Sequence, residues 1–144
     1  MSADPRTLGW LTRALAHEMR AVQQYLAQSV LAKLWGDAEL TALLRREAEE
    51  EMEHAERLMA RLIHLGVAPA AGNLPPTRLG RNRAELLAAD RELEVDAVHL
   101  YQEAAAHARR MRDADSLALF EGLLAEELKH VEEIDGWLAG MSHG

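Results

Sequence analysis

The apolar stripes of this chain are broken by acids and histidines that recur at one fixed offset, and this constrains the fold more than anything else in the sequence. Glu18 and Glu94, Glu51 and Glu127, His54 and His130, and the only two tyrosines, Tyr25 and Tyr101, each lie 76 residues apart. A shared offset over so many positions reads as two structural copies related by a pseudo-two-fold axis. The stripes themselves have helical spacing, in alternating steps of three and four. One runs Leu8, Leu11, Leu15, Glu18, Val22, Tyr25. A second runs Leu40, Leu44, Glu47, Glu51, His54, Leu58, Leu62. A third runs Leu87, Asp90, Glu94, Ala97, Tyr101. A fourth runs Leu117, Phe120, Leu123, Glu127, His130, Ile134. Polar residues on an apolar face point into a core, whereas a solvated charge run would occupy the opposite face.

The pattern predicts four helices, over about residues 5–35, 38–65, 83–111 and 114–139. Asp4-Pro5 supplies an N-cap and a first-turn proline, Gly36-Asp37 a break and a new cap, and Gly66 a stop. Residues 66–82 carry three of the four prolines and read as a long crossover. Two helical hairpins joined by one long connection define an all-α four-helix bundle. A length of 144 residues suits a single domain with a sizeable core.

Composition narrows the function. There is no cysteine, which excludes disulfides, thiolate sites and iron–sulfur clusters. A formal charge of −8 disfavours nucleic acid and anionic membranes. No apolar run approaches the roughly 18 residues of a membrane span. MSADPRTLGW lacks the basic and apolar regions of a secretory signal, so a soluble cytoplasmic protein is expected.

Four carboxylates in an apolar core are expensive unless something compensates them. Two divalent cations would neutralise four carboxylates. Glu and His at i and i+3 share a helix face and reach one metal region. Oxygen-rich coordination with one imidazole per metal and no thiolate suits Fe or Mn. One Glu on each of two helices with Glu-x-x-His on the other two is the layout of di-iron carboxylate bundles.

On these residues the chain resembles the bacterioferritins, a ferritin-like family, over about residues 4 to 139: Glu18 with Tyr25 seven residues on, EEEMEHAE with Glu51, Met52 and His54, Glu94 in ELEVD, and EELKH with Glu127 and His130. The resemblance implies a homo-oligomeric cage built from two-fold dimers that stores iron and oxidises Fe(II) with O2 or H2O2. It implies that Glu18 and His54 bind one iron, that Glu94 and His130 bind the other, and that Glu51 and Glu127 bridge the pair. It also implies one haem per two subunits, with Met52 as axial ligand, and a redox partner for iron release. The family's usual fifth helix is not expected, because the chain stops after GMSHG.

Read on residues alone, Met52 lies about 100° round the helix from Glu51 and is an exposed or interface side chain. Met19, Leu26, Met52 and Met59 could form a second apolar strip facing a partner. Arg45 and Glu49 stand near it, where members of the family more often carry uncharged residues. Tyr25 and Tyr101 read as core residues whose hydroxyls bond ligand carboxylates. Some members carry a His matching Arg46 and an Asp matching Glu50, which form an iron site on the inner cage surface. Glu50 could still bind a cation, while Arg46 would repel one. Glu47 is either a transit ligand or solvated charge. His17, His64, His99, His107 and His143 lack repeat partners and are expected at the surface or beside ligands. The alternatives are another di-metal enzyme, a rubrerythrin-like peroxidase or a manganese catalase, and a DNA-shielding cage. Zero cysteines count against the first of these and the acidic charge against the last.

Overall fold

The structure, a computed structural model, describes residues 4–141. It contains four helices: α1 (Pro5–Leu34), α2 (Ala38–His64), α3 (Arg83–Arg110) and α4 (Ala114–Met141). His143 and the question of a fifth helix fall outside the described residues. Each helix begins at an Asp or Asn whose side chain accepts from an otherwise orphaned backbone N–H. Asp4 receives Thr7 N, Asp37 receives Leu40 N, Asn82 receives Glu85 N, and Asp113 receives Ser116 N. The two hairpin turns are equivalent in structure. Gly36 sits at φ 78, and Arg112, 76 residues on, takes the same left-handed region at φ 55.

α1 packs mainly on α2 and α3 mainly on α4, α1 also meets α3, and the seam between α2 and α4 is sparse. The apolar interior has two parts. One holds Leu11, Leu15, Leu58, Leu62, Tyr101, Phe120 and Leu123. The other holds Tyr25, Leu40, Leu44, Leu86, Leu87, Leu93 and Ile134. Between them lies a layer of buried charge: Glu18, Glu51, His54, Glu94, Glu127 and His130. No helix among the described residues is long and apolar enough to cross a membrane.

The crossover from α2 to α3 is tied down by backbone contacts. Gln28 Nε2 donates to the Arg78 carbonyl at 2.8 Å, and Gln23 Nε2 donates to the Pro75 carbonyl at 3.3 Å. It ends at Gly80, whose φ is 83 and whose would-be Cβ lies 2.7 Å from Leu86 N. Left-handed backbone and a backbone clash both require glycine there. Gly80→Ala should therefore lower unfolding free energy by about 1–3 kcal/mol, read from urea denaturation, while leaving helix content by circular dichroism unchanged.

Candidate metal centre

α1 and α3 each contribute one glutamate at mid-length, Glu18 and Glu94. α2 and α4 each contribute a Glu-x-x-His pair, Glu51 with His54 and Glu127 with His130. The pseudo-two-fold brings all six together. One ligand atom from each of Glu18, Glu51, His54 and Glu127 lies within 4.8 Å of the others, and so does one from each of Glu51, Glu94, Glu127 and His130. Glu51 and Glu127 belong to both groups. His54 Nδ1 lies 3.4 Å from Glu18 and 2.8 Å from Glu127. His130 Nδ1 lies 3.7 Å from Glu94 and 2.9 Å from Glu51. The imidazoles stack with centroids 5.8 Å apart.

The tyrosines cross between the halves. Tyr25 of α1 donates to Glu94 Oε1 of α3 at 2.6 Å, and Tyr101 of α3 donates to Glu18 Oε1 of α1 at 2.6 Å. Each tyrosine thus occupies one carboxylate oxygen and leaves the other for a ligand. Those second oxygens, Glu18 Oε2 and Glu94 Oε2, are buried without a hydrogen-bond partner, as are Glu51 Oε1, both Glu127 oxygens and both histidine Nδ1 atoms. The 2.8 Å approach of His54 Nδ1 to Glu127 lacks hydrogen-bond geometry. A ring of unsatisfied oxygens and imidazole nitrogens around one centre fits two hard or borderline divalent cations.

Without metal, protons do part of the balancing. Burial alone would depress the histidines, but the adjacent carboxylates outweigh it, raising His54 to about 10 and His130 to about 11. Burial and the Glu18 and Glu127 charges push Glu51 well above the carboxylate range. Burial opposes ionisation of Glu127 too, yet the two imidazolium groups hold it down near 2. Of the two carboxylates common to both groups, Glu127 thus stays ionised while Glu51 takes a proton.

The outer edges of the histidines also follow the repeat. His130 Nε2 lies 2.8 Å from Glu50, and His54 Nε2 lies 3.5 Å from Glu126. Such carboxylates orient an imidazole and fix which nitrogen faces the metal. Glu126 stands at the 76-residue offset from Glu50, a signal that singles it out in the sequence once Glu50 is considered. A 200 Å³ cavity at the α2–α4 seam, lined by Glu50, Glu53, Glu126, Lys129 and Glu133, reaches both histidines and opens the centre outward. Glu47 is buried, not solvated, and stands 3.8 Å from His130 Nε2. Burial raises it to about 7, with His130 opposing.

Other expected positions fare differently. His107 is neither at the surface nor beside the centre: it is buried, with Nε2 2.9 Å from the Asp4 cap. Met52 and Leu26 are 47% and 45% exposed. Met19 and Met59 are partly buried against the core, so the expected apolar strip is exposed only at its middle. Arg45 and Glu49 form an exposed pair 3.9 Å apart on the Met52 face.

A bundle of two hairpins with Glu on two helices and Glu-x-x-His on the others defines a dinuclear carboxylate protein. A ferritin-like domain family model matches residues 10–142. The chain is 34% identical to bacterioferritin from Rhodobacter capsulatus over 135 residues, covering 94% of this chain and 84% of the relative. It is 35% identical to that of Brucella melitensis with the same coverage. A solved Rhodobacter capsulatus bacterioferritin structure, with a metal-free dinuclear site and its haem iron in a crystallographic special position, matches at TM-score 0.95 and 32% identity, covering 99% of this chain and 89% of that one. The chain belongs to the ferritin-like family, in its bacterioferritin branch. Bacterioferritins are iron-storing ferroxidases, and this chain is one of them.

Because the metal-free centre keeps like charges buried together, saturating Zn(II) or Fe(II) should stabilise the fold. Ligand at a hundredfold over its Kd adds about 2.7 kcal/mol, which corresponds to roughly 5–10 °C in Tm for a chain of this size. Calorimetry showing no shift would contradict a shared core site.

Proposed function

We propose that Glu18 and His54 hold one Fe(II), that Glu94 and His130 hold the second, and that Glu51 and Glu127 bridge the two. The observation that carries this reading is that the two buried ligand groups share Glu51 and Glu127 and no other residue. Two ferrous ions side by side can each give one electron to one oxidant, O2 or H2O2. The protein's part is to pair them, hold the terminal carboxylates through Tyr25 and Tyr101, and exclude bulk water. Glu47 and Glu50, facing His130 Nε2, serve ions in transit between the α2–α4 cavity and the centre. A cytoplasmic location belongs to the same proposal and rests on chemistry, since a reducing interior is where Fe(II) persists.

As a bacterioferritin, the chain assembles with copies of itself. We take the Met52 face as the two-fold contact. Met52 offers one thioether per chain, so the two Met52 side chains meeting at that contact would hold one haem between them. Haem so placed would carry electrons from a redox partner to stored ferric iron. Cage geometry would then bury Leu26 and Met52, which a lone chain exposes.

Anaerobic titration should show two Fe(II) per chain, followed by an oxygen-dependent ferric absorbance. One metal per chain, or no absorbance change, would remove the dinuclear reading. Glu51→Ala loses a ligand to both metals and should slow oxidation by more than the ~100-fold upper range for losing an outer partner. Glu47→Ala should slow it by about tenfold or less, and equal rates in stopped-flow kinetics would mean that Glu51 is not a bridge. Met52→Leu should keep iron oxidation and lose the haem Soret band, whereas full haem occupancy in that variant would exclude Met52 as ligand.

A further inference from the structure

The 76-residue correspondence that pairs the candidate ligands fails in the layer beside them, and it fails in one direction. At one end of the centre Gln24, Gln28, Glu47 and Asp90 are interior, none more than 2% exposed. Their equivalents at the other end are Leu100, Ala104, Leu123 and Ala14. Ala14, Ala104 and Leu123 are buried among Leu11, Leu15, Tyr101 and Phe120. The fold can therefore set hydrocarbon directly against this centre, and does so on one side, whereas on the other a polar layer stands between the centre and the apolar cluster of Leu40, Leu44, Leu86 and Leu87. At the other end it buries polar groups, which are costly wherever a partner is lacking.

These polar groups are connected. Gln24 Nε2 donates to Asp90 Oδ1 at 2.9 Å. Gln24 Oε1 accepts from Arg78 N at 3.4 Å, and Gln28 Nε2 donates to the Arg78 carbonyl at 2.8 Å. Tyr25, next to Gln24, donates to Glu94. Among charged groups, Asp90 acts most strongly on the Tyr25 phenol. Arg78 itself is half exposed and meets Glu92 at the surface. Three acceptors at this end, Asp90 Oδ2, Gln28 Oε1 and Glu47 Oε2, are buried with no donor. Acceptors in that condition call for water or protons.

We propose that Asp90, with Gln24 and Gln28, forms a one-sided passage for protons and water between the dinuclear centre and the crossover backbone at Arg78. The proposal rests on the dinuclear reading above, and the chemistry of that reading needs such a passage. Two Fe(II), one H2O2 and two waters give two FeO(OH) and four protons. With O2, four Fe(II) and six waters give four FeO(OH) and eight protons. In both cases each iron loses one electron, the O–O bond is broken and reduced, and two protons per iron must leave a buried site. Asp90 takes a proton at Oδ2 and passes it to water along Gln28 toward Arg78. The charged and titratable groups bearing on it are Tyr25 from α1, Glu47 from α2 and Arg78 from the crossover. Burial raises Asp90 to about 7, with Gln24 and Gln28 opposing, which lets it hold and release a proton near neutrality. Asp90 bonds Gln24 and acts through it and through water, so it is a positioning and relay residue.

The test uses the full chain and three variants: Asp90→Asn, which is isosteric, Asp90→Ala, and Asp90→Glu. Anaerobic Fe(II) binding is measured first, then oxidation and proton release together, by stopped flow with a pH-indicator dye. The expected result is unchanged binding of two Fe(II) per chain in all variants. Oxidation and proton release should fall together on the order of tenfold in Asp90→Asn, less than loss of a direct acid or base would cost. Activity should return in Asp90→Glu, and in Asp90→Ala when formate is added. Asp90→Asn that oxidises iron and releases protons at the wild-type rate would overturn the proposal. So would a slowed Asp90→Ala that formate leaves unchanged. Wild-type protein that fails to bind two Fe(II) would instead overturn the dinuclear reading on which the proposal rests.

Discussion

Four carboxylates buried in one layer of an apolar bundle are the constraint to which the rest of this structure responds. Each charge taken from water costs several kcal/mol even after relaxation, and Glu18, Glu51, Glu94 and Glu127 are all buried. The layer survives because every member has some compensation. Two tyrosines donate to the α1 and α3 glutamates. Two imidazoles accept protons and offset the pair on α2 and α4. The apolar clusters on either side anchor the helices so that this layer cannot escape to solvent. A helix of about 28 residues is roughly 42 Å long, enough to place hydrocarbon above and below a charged midsection.

The compensation is reciprocal between the halves, and this decides how the fold coheres. Tyr101 of the second hairpin serves Glu18 of the first, and Tyr25 of the first serves Glu94 of the second. Glu50 of α2 holds His130 of α4, and Glu126 of α4 approaches His54 of α2. A single hairpin would leave its own glutamate and histidine without their partners. The centre and the docking of the hairpins are therefore one event. The sparse α2–α4 seam is where these charged groups meet, so the second bond of each imidazole crosses from one hairpin to the other.

The fold class was legible in the sequence because two independent periodicities agree. Helical stripes fix the elements, and the 76-residue offset fixes how the hairpins relate. The candidate ligands were legible for the same reason: an acid or histidine inside an apolar stripe is conspicuous. Gln24 and Gln28 were not, because glutamine is an ordinary surface residue of helices and neither lies on the stripe of α1. Only the tertiary path of the crossover, which brings the Arg78 peptide onto α1, makes them interior. His107 was misjudged for a similar reason. Its partner is the Asp4 cap at the far end of the sequence, and no local pattern predicts that pairing. The Met52 strip is half legible: Leu26 and Met52 stay exposed, while Met19 and Met59 turn toward the core.

Where the two halves differ is as informative as where they agree. A duplicated hairpin can give two metals equal ligands, and symmetry suits a pair of ions that each lose one electron. It does not suit traffic. Protons and water crossing a centre that opens equally at both ends would leave it wet, and water weakens every electrostatic contact within. The chain meets both needs by keeping the offset for Glu18, Glu51, His54, Tyr25 and their counterparts and abandoning it one turn away. There Asp90, Gln24, Gln28 and Glu47 oppose Ala14, Leu100, Ala104 and Leu123. At one end the layer is made of apolar side chains that cannot bond a proton. The other becomes a chain of groups that can, leading to a loop held by the same glutamines. The asymmetry is placed where it leaves the ligand geometry untouched, which is why it shows in the buried polar atoms and not in the motif.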